Sequence, residues 1–286
     1  MKRQICLITG ATSGIGKATA LALAKRNYEL IIIGRIKEKA IKVCEEIKKR
    51  TGNENVNYYV CDLSLLQDVR DTANRIKTDY DRLDIMVNNA GAKFLRHQLT
   101  KEGIEFTLAT NHLGHFVLTL SLIELLKRSQ SARIINVSSG AHSAGDGVIE
   151  NVLASYGYDG RNQYSNSKLA NVLFTYALAD KLKDRGIVAN AVNPGGVATN
   201  FSRNNGLWHW TKHRISYIMK RELLTPEQGA ETIVFLASSK DANGITGKYF
   251  GEMNEKRSSD ISYDKDLQNR MWEFSAKLGG IDLDVL

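Results

Sequence analysis

The amino-acid sequence predicts an α/β fold, a doubly wound parallel sheet of about seven strands flanked by helices, as a single domain over residues 1–286. Three observations predict it. Short apolar runs rich in β-branched residues alternate along the chain with longer segments of helical period. A glycine-rich turn, Gly10-Ala11-Thr12-Ser13-Gly14-Ile15-Gly16, joins the first such run to the first helical segment. Only two prolines, Pro194 and Pro226, interrupt 286 residues, and neither a linker nor an internal repeat divides them.

Taken in order, the expected strands are 4–9, 28–33, 56–61, 83–87, 133–137, 188–192 and a last one near 248–250. They are short and apolar on both faces, as strands covered by helices on both sides must be. The helical segments between them are 17–25, 37–49, 65–78, 105–127 and 165–183. Strand, helix and parallel strand in succession impose right-handed crossovers, so ligands are expected beyond the carboxyl ends of the strands. Two stretches break the rhythm. Residues 140–163, rich in glycine and serine, read as loop. Residues 201–224 mix Trp208, Trp210 and Tyr217 with Arg203, Lys212 and Arg214, and read as one or two short helices outside the sheet.

Lys plus Arg number 39 against 31 for Asp plus Glu, a formal net charge of +8. Such a balance fits nucleic acid, an anionic surface, an anionic ligand or merely a solvated basic exterior. No basic run or recognition motif accompanies it, so no nucleic-acid partner is expected. The three cysteines, Cys6, Cys44 and Cys61, are scattered without CxxC spacing, which fits a reduced cytoplasmic protein. No His pair has metal-ligand spacing, so no metal site is expected. The first apolar run is too short to span a bilayer, and no transmembrane anchor is expected from it.

The turn after the first strand has the spacing GxxxGxG. Glycines there let the backbone approach a diphosphate that sits on the free N–H groups of the helix N-terminus. The second strand ends Ile33-Gly34-Arg35. A carboxylate at that end would bind a ribose 2′-hydroxyl; its absence and the guanidinium of Arg35 point to a 2′-phosphate, hence to NADP(H). A solvent-facing strand-end cation is the plainer reading of Arg35. Ser13 and Lys17 are expected in the same phosphate pocket. Asp62, after the third strand, is either an acceptor for an adenine amine or a helix cap.

Further candidates stand at later strand ends: Asn88-Asn89-Ala90-Gly91, Asn136-Val137-Ser138-Ser139 and Asn193-Pro194-Gly195. Tyr164 and Lys168 are four residues apart at the start of a helix, on one face and within reach of one ligand. A phenol with an ordinary pKa near 10 is a poor base at neutral pH, and a nearby cation favours the phenolate. Alone, such a pair is most simply an exposed helix pair.

In combination, these motifs resemble the short-chain dehydrogenase/reductase family and its Rossmann fold, in the family's order and over nearly the whole chain. Asn111-His112-Leu113-Gly114-His115-Phe116, Ser138-Ser139-Gly140-Ala141-His142 and Ser167-Lys168-Leu169-Ala170-Asn171 are similar to the retinol-dehydrogenase-like branch. The resemblance implies that Tyr164 is the general acid–base and that Lys168 holds the nicotinamide ribose and lowers the Tyr164 pKa. Ser139 would orient the substrate oxygen, and Asn111 would support a water beside Lys168. It implies cofactor contacts from Gly10, Thr12, Ser13, Gly14, Ile15, Gly16, Arg35, Asp62, Leu63, Asn89, Ala90, Gly91, Tyr164, Lys168, Pro194, Gly195, Val197 and Thr199. A substrate lid over 199–225 and a C-terminal substrate-side extension over 251–286 are implied too. The lid segment also fits a peripheral membrane contact or a packed helix pair.

Ser139 and Tyr164 are 25 residues apart, longer than in many members, but Tyr156 and Tyr158 lack a lysine four residues on. His142, just past Ser139, is a candidate substrate contact; His112 and His115 read as packing residues. The expected activity is hydride transfer between NADP(H) and a carbonyl or alcohol of a lipophilic small molecule. The alternative is an NADP(H)-binding sensor with little turnover. Relatives include monomers, homodimers and homotetramers.

Overall fold

In the computed structural model, residues 3–148, 157–197 and 223–282 are described. The strand β1 (Ile5–Thr9) is buried along its whole length, and so are five of the six residues of β2 (Glu29–Gly34). Such strands need a neighbour on each edge and a helical layer on each face. They find both. With β3 (Val56–Val60), β4 (Ile85–Asn88), β5 (Ala132–Val137), β6 (Ile187–Asn193), β7 (Lys248–Gly251) and β8 (Asn254–Lys256), they form one sheet in the order β3-β2-β1-β4-β5-β6-β7-β8. Every pairing is parallel except the last, β7 with β8.

Alternate residues of each strand feed two cores, as the pleat requires. Leu7, Ile31 and Ile134 pack on the face covered by α3 (Leu66–Asp79), α5 (Gly114–Ser121), α7 (Gly160–Lys181) and α9 (Lys265–Gly279). Ile8, Ile32 and Ile135 pack on the other, under α1 (Gly14–Lys25), α2 (Lys37–Thr51) and α8 (Pro226–Ser238). Chain direction across the sheet reverses between β1 and β4, which opens a crevice at their carboxyl ends.

Three expectations about elements are corrected. The segment 105–127 is not one helix but α4 (Phe106–Leu108), a π-turn Ala109–Leu113, α5 and α6 (Ile123–Lys127). The extra residue in the turn coincides with side-chain bonds from Asn111 to a neighbouring loop, a common place for a π-bulge. Helix α7 begins at Gly160, five residues early, because Asp159 caps it by accepting from Arg161 N at 2.8 Å. An eighth strand, β8, is fully exposed and carries no apolar period, so only its backbone pairing with β7 reveals it.

Most of the segment 199–225 lies outside the described residues. The described part of 251–286 forms β8 and α9; α9 packs on α5 and α7, behind the sheet's crevice. No helix of the described residues is long and apolar enough to cross a membrane.

Candidate active site

A cavity of about 870 Å³ opens at the carboxyl ends of β1, β2, β4, β5 and β6. Its floor at one end is the glycine turn. Ser13, ahead of α1, makes no side-chain cap, and the first turn of α1 holds no acid, so the N-terminal N–H groups are left for a ligand. Gly16 is held to glycine by close approach: a Cβ there would stand 2.5 Å from Asn89 Nδ2 and 2.6 Å from Gly10 O. A cradle this tight, uncapped and free of acid fits the diphosphate of a dinucleotide. Gly10, Thr12, Ser13, Gly14, Ile15 and Gly16 all line it.

The turn is tied to β4 through one hydroxyl. Thr9 Oγ1 accepts from Asn89 N at 2.9 Å and Ala90 N at 3.0 Å, and lies 2.9 Å from His115 Nε2. The other ring nitrogen, His115 Nδ1, faces Asn111 O at 3.1 Å; a carbonyl only accepts, so Nδ1 carries the proton and Nε2 accepts from Thr9. Burial pulls the His115 pKa down to about 3 and that of His112 to about 4, which keeps both rings neutral. Both bury completely behind the cavity, as expected of packing residues.

At the end beside β2 and β3, Gly34, Arg35, Asp62 and Leu63 line the wall. Arg35 is 62% exposed, with Nη1 3.9 Å from Asp62 Oδ2. The other Asp62 oxygen accepts from Ser64 N at 3.0 Å and Ser64 Oγ at 2.7 Å, so Asp62 both closes a turn and faces the cavity. Lys17 is a correction: its Nζ is tied to Glu46 Oε2 at 2.6 Å, on α2 and away from the phosphate turn. The periodicity that began the helix at Lys17 gave no sign of that partner.

At the other end stand Asn89, Ala90 and Gly91 after β4, and Pro194, Gly195 and Val197 after β6. Thr199 lies outside the described residues. Ser139, Tyr164 and Lys168 converge between these two loops and line the same cavity. Lys168 is buried; its Nζ donates to Val137 O at 3.0 Å, and burial draws its pKa down to about 8. Ser139 Oγ accepts from Ala141 N at 3.2 Å and caps a short 3₁₀ turn, Gly140–Ala144.

Asn111 is fully buried and forms no part of the cavity wall. Its side chain accepts from Ala92 N at 2.7 Å and donates to Ala92 O and Ser167 Oγ, both at 2.9 Å. It thereby ties the π-turn to the loop after β4 and to α7. His142 is a correction. Its Nδ1 donates to Ser139 O at 2.8 Å and its Nε2 accepts from Ser259 N at 3.0 Å, so the ring braces the serine from behind.

Several contributors, or the contacts they make, escaped the sequence reading. Ser138 Oγ donates to Lys168 O at 2.8 Å and fixes α7 to the end of β5. Glu105, 1% exposed, accepts from Thr107 N at 2.9 Å, Leu108 N at 2.8 Å and Gln163 Nε2 at 2.9 Å. Lys93, Phe94, Phe106 and Arg161 line the cavity near Tyr164. Their only sequence signal is closeness to motifs: Lys93 two residues after Gly91, and Arg161 three before Tyr164.

A model of the short chain dehydrogenase family matches residues 4–210. The chain belongs to that family. Retinol dehydrogenase 13 of Homo sapiens is 36% identical over 279 residues, covering 96% of this chain and 84% of the relative. A solved Mycobacterium paratuberculosis protein of uncharacterized function superposes with a TM-score of 0.77 at 29% identity, over 98% of this chain and 94% of its own. The actinorhodin polyketide ketoreductase, solved with NADPH, superposes with a TM-score of 0.70 at 27% identity, over 87% and 95%. This short-chain dehydrogenase is therefore an oxidoreductase of the retinol-dehydrogenase-like branch.

Proposed function

We propose that this chain transfers hydride between NADP(H) and a carbonyl or alcohol of a lipophilic small molecule, with Tyr164 as the general acid–base. The observation that carries the reading is convergence: Ser139, Tyr164 and Lys168 share one cavity with an uncapped glycine turn. NADP(H) over NAD is supported by a second strand that ends without an acid and by Arg35 at the rim. A similar ketoreductase was solved with NADPH.

The bound cofactor supplies or takes up the hydride. Ser139 Oγ, held at the end of β5, donates to the substrate oxygen and orients it. Tyr164 gives its proton to that oxygen in reduction and takes it back in oxidation. Lys168, its pKa drawn down to about 8, holds the nicotinamide ribose and favours the Tyr164 phenolate. Asn89, Ala90 and Gly91 would line the nicotinamide side and Pro194 and Gly195 would enclose the ring, with Val197 on the same wall; the role of Thr199 at the carboxamide falls outside the described residues. Asn111 keeps the π-turn, the loop after β4 and α7 in register.

The same reading includes one Rossmann-type domain with a lid over 199–225. The 251–286 extension serves the substrate end from behind, through Ser259 on His142. A cytoplasmic location belongs to it too, supported by three free and buried cysteines. The test is oxidation of NADPH against aldehydes, cyclic ketones and polyketide-like ketones, with Tyr164→Phe as control. Turnover by the parent and none by the variant is expected. Tight NADPH binding with no turnover of any carbonyl would instead mark a sensor.

A further inference from the structure

The ammonium of Lys168 shares its acceptor with a second side chain. Val137 O accepts from Lys168 Nζ at 3.0 Å and from Asn171 Nδ2 at 3.4 Å. The same Nδ2 donates its other proton to Asn111 O at 3.0 Å, so one carboxamide bridges the end of β5 and the π-turn. Its orientation is forced. Two carbonyl oxygens, which only accept, stand at one end of the side chain, so that end is the NH2 and Oδ1 is at the other. Oδ1 takes its donor from His112 Nδ1 at 3.2 Å. Burial keeps the His112 ring neutral, so Nδ1 holds its single proton. Its Nε2 then accepts from Ser275 Oγ at 2.7 Å, a hydroxyl of α9 that also stands 2.7 Å from Met271 O. Asn111 O accepts from His115 Nδ1 as well, and His115 leads on to Thr9 and the loop after β4. A chain of hydrogen bonds thus connects that loop to Lys168 through Thr9, His115, Asn111 and Asn171, all of them buried. Asn171 lies three residues after Lys168 on α7 and forms no part of the cavity wall.

Resting on the hydride-transfer reading above, we propose that Asn171 is a positioning residue for Lys168, and that His112 and Ser275 hold it in that role. A carbonyl oxygen has two lone pairs, and a lysine head on its flexible stem can approach either of them. With the Asn171 amide on one lone pair of Val137 O, the ammonium is confined to the other, where it lines the cavity with Tyr164. The amide in turn has no second orientation, because turning it over would set Oδ1 against two carbonyl oxygens. Hydrogen bonds in a buried chain strengthen one another, so loosening Asn171 releases the ammonium at its end. The bond that carries Asn111 toward Lys168 is therefore a side-chain amide from the same helix as the lysine.

The test is a double-mutant cycle on the full chain with two readouts: kcat for a carbonyl that the parent reduces, and NADPH affinity by direct titration. Asn171→Leu keeps the side-chain volume and leaves each carbonyl a donor, Lys168 on Val137 O and His115 on Asn111 O. With Lys168 present it should lower kcat about tenfold and weaken NADPH binding several-fold, the scale of one buried hydrogen bond. In a Lys168→Met background it should move neither by more than about twofold, because the group it positions is gone. His112→Phe keeps Asn171 but withdraws the donor to Oδ1; it should show the same pattern at smaller size, and it stands in if Asn171→Leu does not fold. An equal loss in both backgrounds makes Asn171 a packing residue and overturns the proposal. Parent-like kcat and NADPH affinity in Asn171→Leu overturn it too. Turnover of no carbonyl by the parent refutes the hydride-transfer reading itself, and the NADPH cycle then still judges the positioning of Lys168.

Discussion

The ammonium of Lys168 lies 5.8 Å from the centroid of the Tyr164 ring and donates to Val137 O at 3.0 Å. The spacing of four residues puts both on one helix face, and the end of β5 pins the cation there. Replacing it should separate stability from function. Below about pH 8 the buried ammonium opposes folding, because the unfolded chain holds the same proton with a pKa of 10.5. That penalty fades as pH rises from about 8 to 10.5, where the unfolded lysine also loses its proton. Lys168→Met is therefore expected to melt higher than the parent at pH 7, by up to about 3 kcal/mol, with the gain shrinking above pH 8. Turnover should fall about a thousandfold. Thermal melts across pH check the first part; an unchanged difference between pH 7 and 10 would contradict it.

Cofactor choice rests on Arg35. Arg35→Asp places a carboxylate beside Asp62, so the pair should reject a 2′-phosphate. The ratio of kcat/KM for NADPH over NADH is expected to drop about a hundredfold. A ratio left where it was would refute the NADP(H) assignment.

Acid sensitivity follows from the two buried histidines. In the unfolded chain each takes a proton near pH 6.5, whereas in the fold His112 waits until about 4 and His115 until about 3. The unfolded state thus binds more protons in between, and stability falls with pH from about 6.5 downward, by several kcal/mol. Urea midpoints should drop steeply between pH 6.5 and 4. His112→Gln should flatten that slope; a parallel slope in the variant would falsify the assignment.

Glu105 joins the wall carrying Phe106 to the start of α7 through Gln163. Glu105→Ala leaves two backbone N–H groups and the Gln163 amide without their acceptor, at a cost of about 3 kcal/mol. With that wall loosened, KM should rise several-fold while kcat changes less. The urea midpoint and the KM-to-kcat split are the measurements, and an unmoved midpoint would rule out the clamp.

The strand and helix alternation was legible because buried parallel strands and helices write different periods into a chain. Ser139 stood out at a strand end and the Tyr164–Lys168 pair by its four-residue spacing on a helix; the topology brings all three to one cavity. Asn111 was legible as a motif residue, though not as a buried tie across the π-turn. Helix 105–127 was misread because its apolar period runs on through the break: the π-turn rests on Asn111 bonding to Ala92 and Ser167, both remote in sequence.

By itself, then, the sequence determined the seven parallel strands, the glycine turn and the acid-free end of β2, all set by local period and composition. Which side chains face the cavity was decided only in three dimensions. Lys17 and Lys93 look alike along the chain, yet Glu46 draws one away while the start of α7 holds the other beside Tyr164. His142 and Ser139 are three residues apart, yet one braces the other from behind. A side chain's partner is set by what packs against its element, and those partners come from residues far away in sequence.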